Sequence, residues 1–208
     1  MFRFDSPVMT FLAKVGDLIL LNLMWIIGCL PVITVGASTT ALYACITKLR
    51  EESETSLVRA FCQVFREEWK QATLLWLIEL AVAAVLAADA YIVLFSGIGT
   101  TWLIPVLILP AAVALLVSGY IFPLQARFCN SVFQTLKNAL MLAIYRLPTA
   151  VLVCAVNLLP VLLLLFLPDV LYVTGIVWVF AGGALQAYVN SILLQRVFRK
   201  FEPENIEE

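Results

Sequence analysis

Histidine is absent from the 208 residues, and only 13% of them are charged. The first absence removes the commonest metal-binding imidazole and the one side chain that titrates near neutrality without help. Five cysteines are present (Cys29, Cys45, Cys62, Cys129 and Cys154), but no two of them form a Cys-x-x-Cys pair. A zinc-type centre is therefore not expected, and no metal or cofactor site is assigned. Glu79 and Asp89 stand alone, with no Gly-x-Ser-x-Gly or paired-acid motif beside them, so no catalytic residues are assigned and the chain reads as a non-enzyme. The net charge is −1 and no basic stripe runs through the sequence, which argues against a nucleic-acid partner.

The scarcity of charge also argues against an ordinary soluble domain. Such domains are typically about 25% charged and about 45–50% apolar. Here 63% of residues are hydrophobic and the mean hydropathy is +1.01. The partner this composition implies is the lipid bilayer. The charges that do occur collect at 48–70, 127–146 and 196–208; positions 96–101 carry none and 167–173 only Asp169.

These bare and charged stretches divide the chain into an all-α, polytopic membrane bundle of about six spans in a single domain, 1–208. The spans are expected at 11–30, 34–49, 72–95, 102–123, 149–167 and 171–194. Two amphipathic helices, 57–70 and 128–145, are expected to lie in the interface on the charged side. Lysine and arginine favour the cytoplasmic side, so both termini are expected in the cytoplasm. The 34–49 segment is sixteen residues, about 24 Å of helix, so a re-entrant hairpin fits as well as a full crossing. Ile26-Ile27-Gly28-Cys29 resembles a lipoprotein cleavage box. Its upstream run is broken by Asp17 and Asn22, however, and equally apolar sequence follows, so it is read as part of the first span.

Asn22 to Tyr43 is the stretch around which the rest is expected to assemble. Pro31 lacks an amide donor and clashes with the preceding turn, so the first helix should break near Leu30. Backbone groups freed in lipid need partners, and Thr34, Ser38, Thr39 and Thr40 are the nearby hydroxyls. Gly36, Ala37 and Ser38 form a small-residue face for close helix packing. Asn22, Trp25, Pro31, Thr34, Gly36 and Ser38 are accordingly the expected structural motif.

A buried polar layer is the second expectation, formed by Asn22, Glu79, Asn157, Gln186 and Asn190. Counted from the inner ends of the spans, Glu79 and Gln186 lie roughly 10–12 Å deep, and Asn22 and Asn157 roughly 15 Å. A carboxylate at that depth should face inward. Gln186 and Asn190, one helical turn apart, are its expected partners.

A third pattern is a similarity at an offset of 67 residues, which pairs Phe61 with Phe128, Cys62 with Cys129, Lys70 with Lys137, Ala72 with Ala139 and Leu75 with Leu142. A parallel internal repeat and two helices of similar amphipathicity both account for it.

The run Asn22-Leu23 with Trp25, then Leu30-Pro31-Val32-Ile33-Thr34-Val35-Gly36-Ala37-Ser38 and Ala41-Leu42-Tyr43, resembles the YesL-like family of bacterial integral membrane proteins. The resemblance extends through Lys48-Leu49 and Phe61…Phe65…Trp69-Lys70-Gln71-Ala72. It implies a place in the inner membrane of a bacterial cell and an association with carbohydrate uptake transporters of the ATP-binding-cassette type, whose permease is the implied partner. On that footing the expected role is an accessory or regulatory membrane protein. A small transporter or channel in its own right is the alternative.

Overall fold

The computed structural model describes residues 7–51, 56–95, 104–128, 130–166, 175 and 178–198. Helices dominate it and no strand occurs among the described residues. They are α1 (Pro7–Cys29), α2 (Val35–Arg50), α3 (Leu57–Phe95), α4 (Ile104–Arg127), α5 (Val132–Tyr145), α6 (Leu147–Phe166) and α7 (Gly183–Phe198). A 3₁₀ turn, Val32–Thr34, leads into α2, and a π-helical turn, Trp178–Gly182, leads into α7. The outer connections expected at 96–101 and 167–173, the polar connector's residues 52–55 and the acidic tail lie outside the described residues.

Four helical stretches are long and apolar enough to cross a membrane: Met9–Cys29, Val32–Arg50, Leu57–Val93 and Pro105–Arg127. A fifth candidate is the pair Val132–Tyr145 and Leu147–Leu163, bent by 107°. The helical membrane bundle stands, with four candidate spans or five where about six were expected. Of the expected sixth, 171–194, the structure describes Gly175 and 178–194, which include the π turn and most of α7.

The expected division between an interfacial helix at 57–70 and a span at 72–95 does not occur. Both belong to α3, which runs unbroken for 39 residues, or about 58 Å. Neither glycine nor proline falls anywhere between 57 and 95, so nothing in the backbone interrupts it. The matching segment further on behaves differently. Asn130 lies in a break between α4 and α5, and Pro148 follows the elbow between α5 and α6. Proline disfavours a helical residue before it, and its ring clashes with the turn before that. At the offset of 67 the corresponding residue in α3 is Ala81, and there the helix continues. The shared pattern survives only as packing: Ala72, Leu75, Ala139 and Leu142 are all buried.

The bundle is built around α2. Ten of its sixteen residues are buried, from Gly36 through Ile46. It packs most extensively on α3 and also touches α1, α4 and α7. Small side chains make this possible: a helix of Gly, Ala, Ser and Thr lets neighbouring backbones approach closely. The core continues through Leu21, Leu75, Tyr120, Val153, Leu194 and Val197, which are fully buried. At the other end of the long helices the large apolar side chains face outward, among them Val85, Phe95, Leu109 and Leu165. Such faces suit contact with lipid chains, which are as apolar as they are.

Candidate functional site

The first half of the site is the joint between α1 and α2. At Pro31 the chain is extended (φ −76°, ψ 113°), which ends α1 and leaves carbonyls of its last turn without amide partners. A side chain supplies the donor at Gly28, and others brace the joint around it. The Thr34 hydroxyl lies 2.7 Å from the Gly28 carbonyl oxygen and 2.8 Å from that of Pro31, and Ser38 donates to the Trp25 carbonyl at 2.8 Å. The Trp25 indole donates to Thr39 Oγ1 at 3.2 Å, and the Trp76 indole to the Val32 carbonyl at 2.9 Å. A Cβ added at Gly36 would lie 2.8 Å from Trp76 Cβ and closer still to the Ala72 carbonyl oxygen. Gly36 is thus the point at which the backbones of α2 and α3 cross.

Behind this joint the helices enclose a cleft of about 780 Å³, within the usual range of roughly 300–1,000 Å³ for small-molecule sites. Trp25, Trp76 and Trp178 line it, together with Tyr43, Phe122, Pro123 and Pro160. Its polar groups are Thr39, Glu79, Ser118, Asn157 and Gln186. Two amides converge on Asn157 at one wall, Gln186 in the lining and Asn190 buried behind it. Gln186 Nε2 and Asn190 Nδ2 each donate to Asn157 Oδ1 at 2.7 Å, and Asn190 Nδ2 also lies 3.2 Å from the Tyr43 hydroxyl.

The expected polar layer therefore divides into three. Asn157, Gln186 and Asn190 form one cluster, with Tyr43 added. Asn22 serves a different purpose: its amide donates to the Val179 carbonyl at 2.7 Å and the Trp178 carbonyl at 3.2 Å, while its Oδ1 accepts the Ala184 amide at 2.8 Å. A π turn departs from the regular helical hydrogen-bond ladder, and Asn22 supplies partners on both sides of the change. Glu79 belongs to neither group. The partners expected for it, Gln186 and Asn190, are engaged with Asn157, because Asn157 projects from α6 at the level where α7 presents its two amides. Glu79 lies instead beside Ser118, whose hydroxyl is donated to the Leu115 carbonyl at 2.9 Å. Its Oε2 is buried and has no hydrogen-bond partner.

A second polar network ties α3, α4 and α5 together at the end opposite the outward-facing apolar tips. Gln125, nearly fully buried, donates to Glu68 Oε2 at 2.6 Å and lies 3.0 Å from Gln71 Oε1, and it accepts the Thr135 hydroxyl at 2.8 Å. Arg50 closes the same end by donating to Ser191 Oγ at 2.9 Å and to Gln195 Oε1 while lying over the Tyr188 ring. Sequence reasoning missed Tyr43, Ser118, Gln125 and Thr135. A polar residue within two turns of a charged loop reads as solvated, and the sole signal for Gln125 is its position just after Pro123 in an otherwise apolar helix.

Among the described residues no three histidine, cysteine or acidic side chains come together as a metal site. Residues 18–90, covering most of α1, all of α2 and most of α3, match the family model described as a protein of unknown function, DUF624. The joint at Pro31 and the Gly36 crossing lie wholly inside that match. No curated protein and no solved structure matches the chain.

Proposed function

We propose that this chain is a YesL-like protein of the bacterial inner membrane, with both termini cytoplasmic, that acts as a non-enzymatic accessory or regulatory partner of a carbohydrate ATP-binding-cassette transporter. DUF624 is the family that includes YesL-like proteins, which supports the kinship. The observation that carries the docking role is the two-sided character of α5. One side, Thr135, Ala139, Leu142 and Ala143, is buried in the bundle. The other presents Phe133, Met141, Ile144 and Tyr145, each between 59% and 79% exposed, with Lys137 among them. The 107° elbow sets the axis of α5 at a steep angle to that of α6. An apolar helix face with a cation in it suits a partner's coupling surface. It suits lipid headgroups as well.

Co-purification separates those two settings. A permease that accompanies the tagged wild-type protein through detergent and moderate salt, but is lost from Phe133→Ser/Met141→Ser, supports the accessory role. Retention of the doubly substituted protein in the membrane without any transporter subunit in either preparation refutes it. A small transporter is the second reading, and the cleft between α3, α4, α6 and α7 is the observation that favours it. Solute flux in proteoliposomes containing this chain alone would establish that role.

A further inference from the structure

The walls of the cleft are unbalanced in charge. Five donors on or directly behind them are committed within the protein: the indoles of Trp25 and Trp76, the Ser118 hydroxyl, and the amides of Gln186 and Asn190. One buried acceptor of the lining has no partner, Glu79 Oε2; Asn190 Oδ1, also without one, lies behind the wall. Among the described residues lining the cleft, Glu79 alone is acidic, and none is lysine or arginine. Three tryptophans complete the lining. A carboxyl oxygen held away from water is costly unless a donor or a positive charge meets it. Indole faces attract cations through the ring quadrupole.

We propose that the cleft is a binding site for an organic ammonium cation, with Glu79 as its counter-ion and Trp25, Trp76 and Trp178 as its aromatic walls. An anion would meet a carboxylate and no cationic side chain. A neutral polyol would leave that carboxylate without a counter-charge. An ammonium group brings the positive charge that the described lining lacks. Its hydrocarbon portion fits against Leu42, Pro160 and Val161. This inference goes beyond the accessory role. It concerns the cleft and not α5, so either can fail without the other.

The test is titration of the purified full chain in a non-ionic detergent, read by tryptophan fluorescence and by calorimetry. Choline is the probe, and 3,3-dimethylbutan-1-ol, the same shape without the charge, is its control. Choline should bind saturably, and the neutral isostere at least about tenfold more weakly, the ratio expected when a desolvated cation–π contact and an ion pair are lost. Glu79→Gln should weaken choline by about tenfold or more while leaving the unfolding midpoint near wild type. Equal binding of choline and its neutral isostere to the wild-type protein overturns the proposal, and that comparison stands even if the variant does not fold. Unchanged choline affinity in a folded Glu79→Gln protein overturns it too. Competition then identifies the source of the ammonium group. Displacement of choline by dihexanoyl phosphatidylethanolamine and not by dihexanoyl phosphatidylglycerol makes a lipid amine an occupant, whereas displacement by neither assigns the site to soluble amines.

Discussion

Replacing Gly36 by alanine adds one methyl group at the tightest point of the bundle. The new carbon would sit 2.8 Å from Trp76 Cβ and nearer than that to the Ala72 carbonyl oxygen. Real carbon contacts of this kind lie near 3.5–4.0 Å, so α2 and α3 must part by on the order of 1 Å. Neither neighbour is the free end of a flexible side chain: one is backbone in the middle of α3, and the other is the root of a tryptophan. Overpacking of this sort costs about 1–3 kcal/mol. Parting the helices also stretches the Trp76–Val32 hydrogen bond, worth about 1 kcal/mol more. The expected loss is thus about 2–4 kcal/mol. Gly16 supplies the control, since a Cβ there meets nothing within 4 Å. Alanine at that position gains up to about 1 kcal/mol of helix propensity. Unfolding of both variants in mixed micelles, followed by tryptophan fluorescence, measures the difference. If Gly36→Ala unfolds at the same denaturant concentration as Gly16→Ala, the close crossing of α2 and α3 is not what holds the bundle together.

Asn22→Leu should cost about 2 kcal/mol, because three hydrogen bonds to the π turn and the start of α7 disappear, each worth roughly 0.6–1 kcal/mol in an apolar setting. Hydrogen exchange should show the loss concentrated at residues 178–187, and uniform loosening of all helices would contradict the clamp. For orientation, a cysteine placed at Ser53 in a cysteine-free background should resist impermeant maleimide in intact cells and react after lysis; strong labelling in intact cells would reverse the topology.

Legibility in the sequence varied with the kind of signal. The helical bundle was readable because apolar runs of span length leave little else for a chain to do. The break at Pro31 and the small-residue face at Gly36 were readable because each follows from backbone chemistry that one residue decides. The continuity of α3 was hidden by a change of composition at residue 70, where a charged, amphipathic stretch gives way to an apolar one. Such a change marks where the surroundings alter and does not mark where a helix ends. The end of α5, by contrast, falls just before Pro148. The polar layer was expected as one set of residues, and the structure separates it into three. Depth along each helix can be counted from sequence, but rotation about its axis depends on packing. That is why Asn157 and not Glu79 meets Gln186 and Asn190.

An unbroken α3 has a mechanical consequence. Its contact with Gly36 at Ala72 falls between two unequal arms, about 22 Å toward Leu57 and about 34 Å toward Phe95. A straight rod that rocks about a fixed crossing moves its ends in proportion to those arms. Displacing the Leu57 end by 1 Å would carry the Phe95 end about 1.5 Å the other way, and Glu79, about 10 Å beyond the pivot, by about half an ångström. Two separate helices joined at residue 70 would absorb such a displacement in their hinge. One continuous rod delivers it to the wall of the cleft.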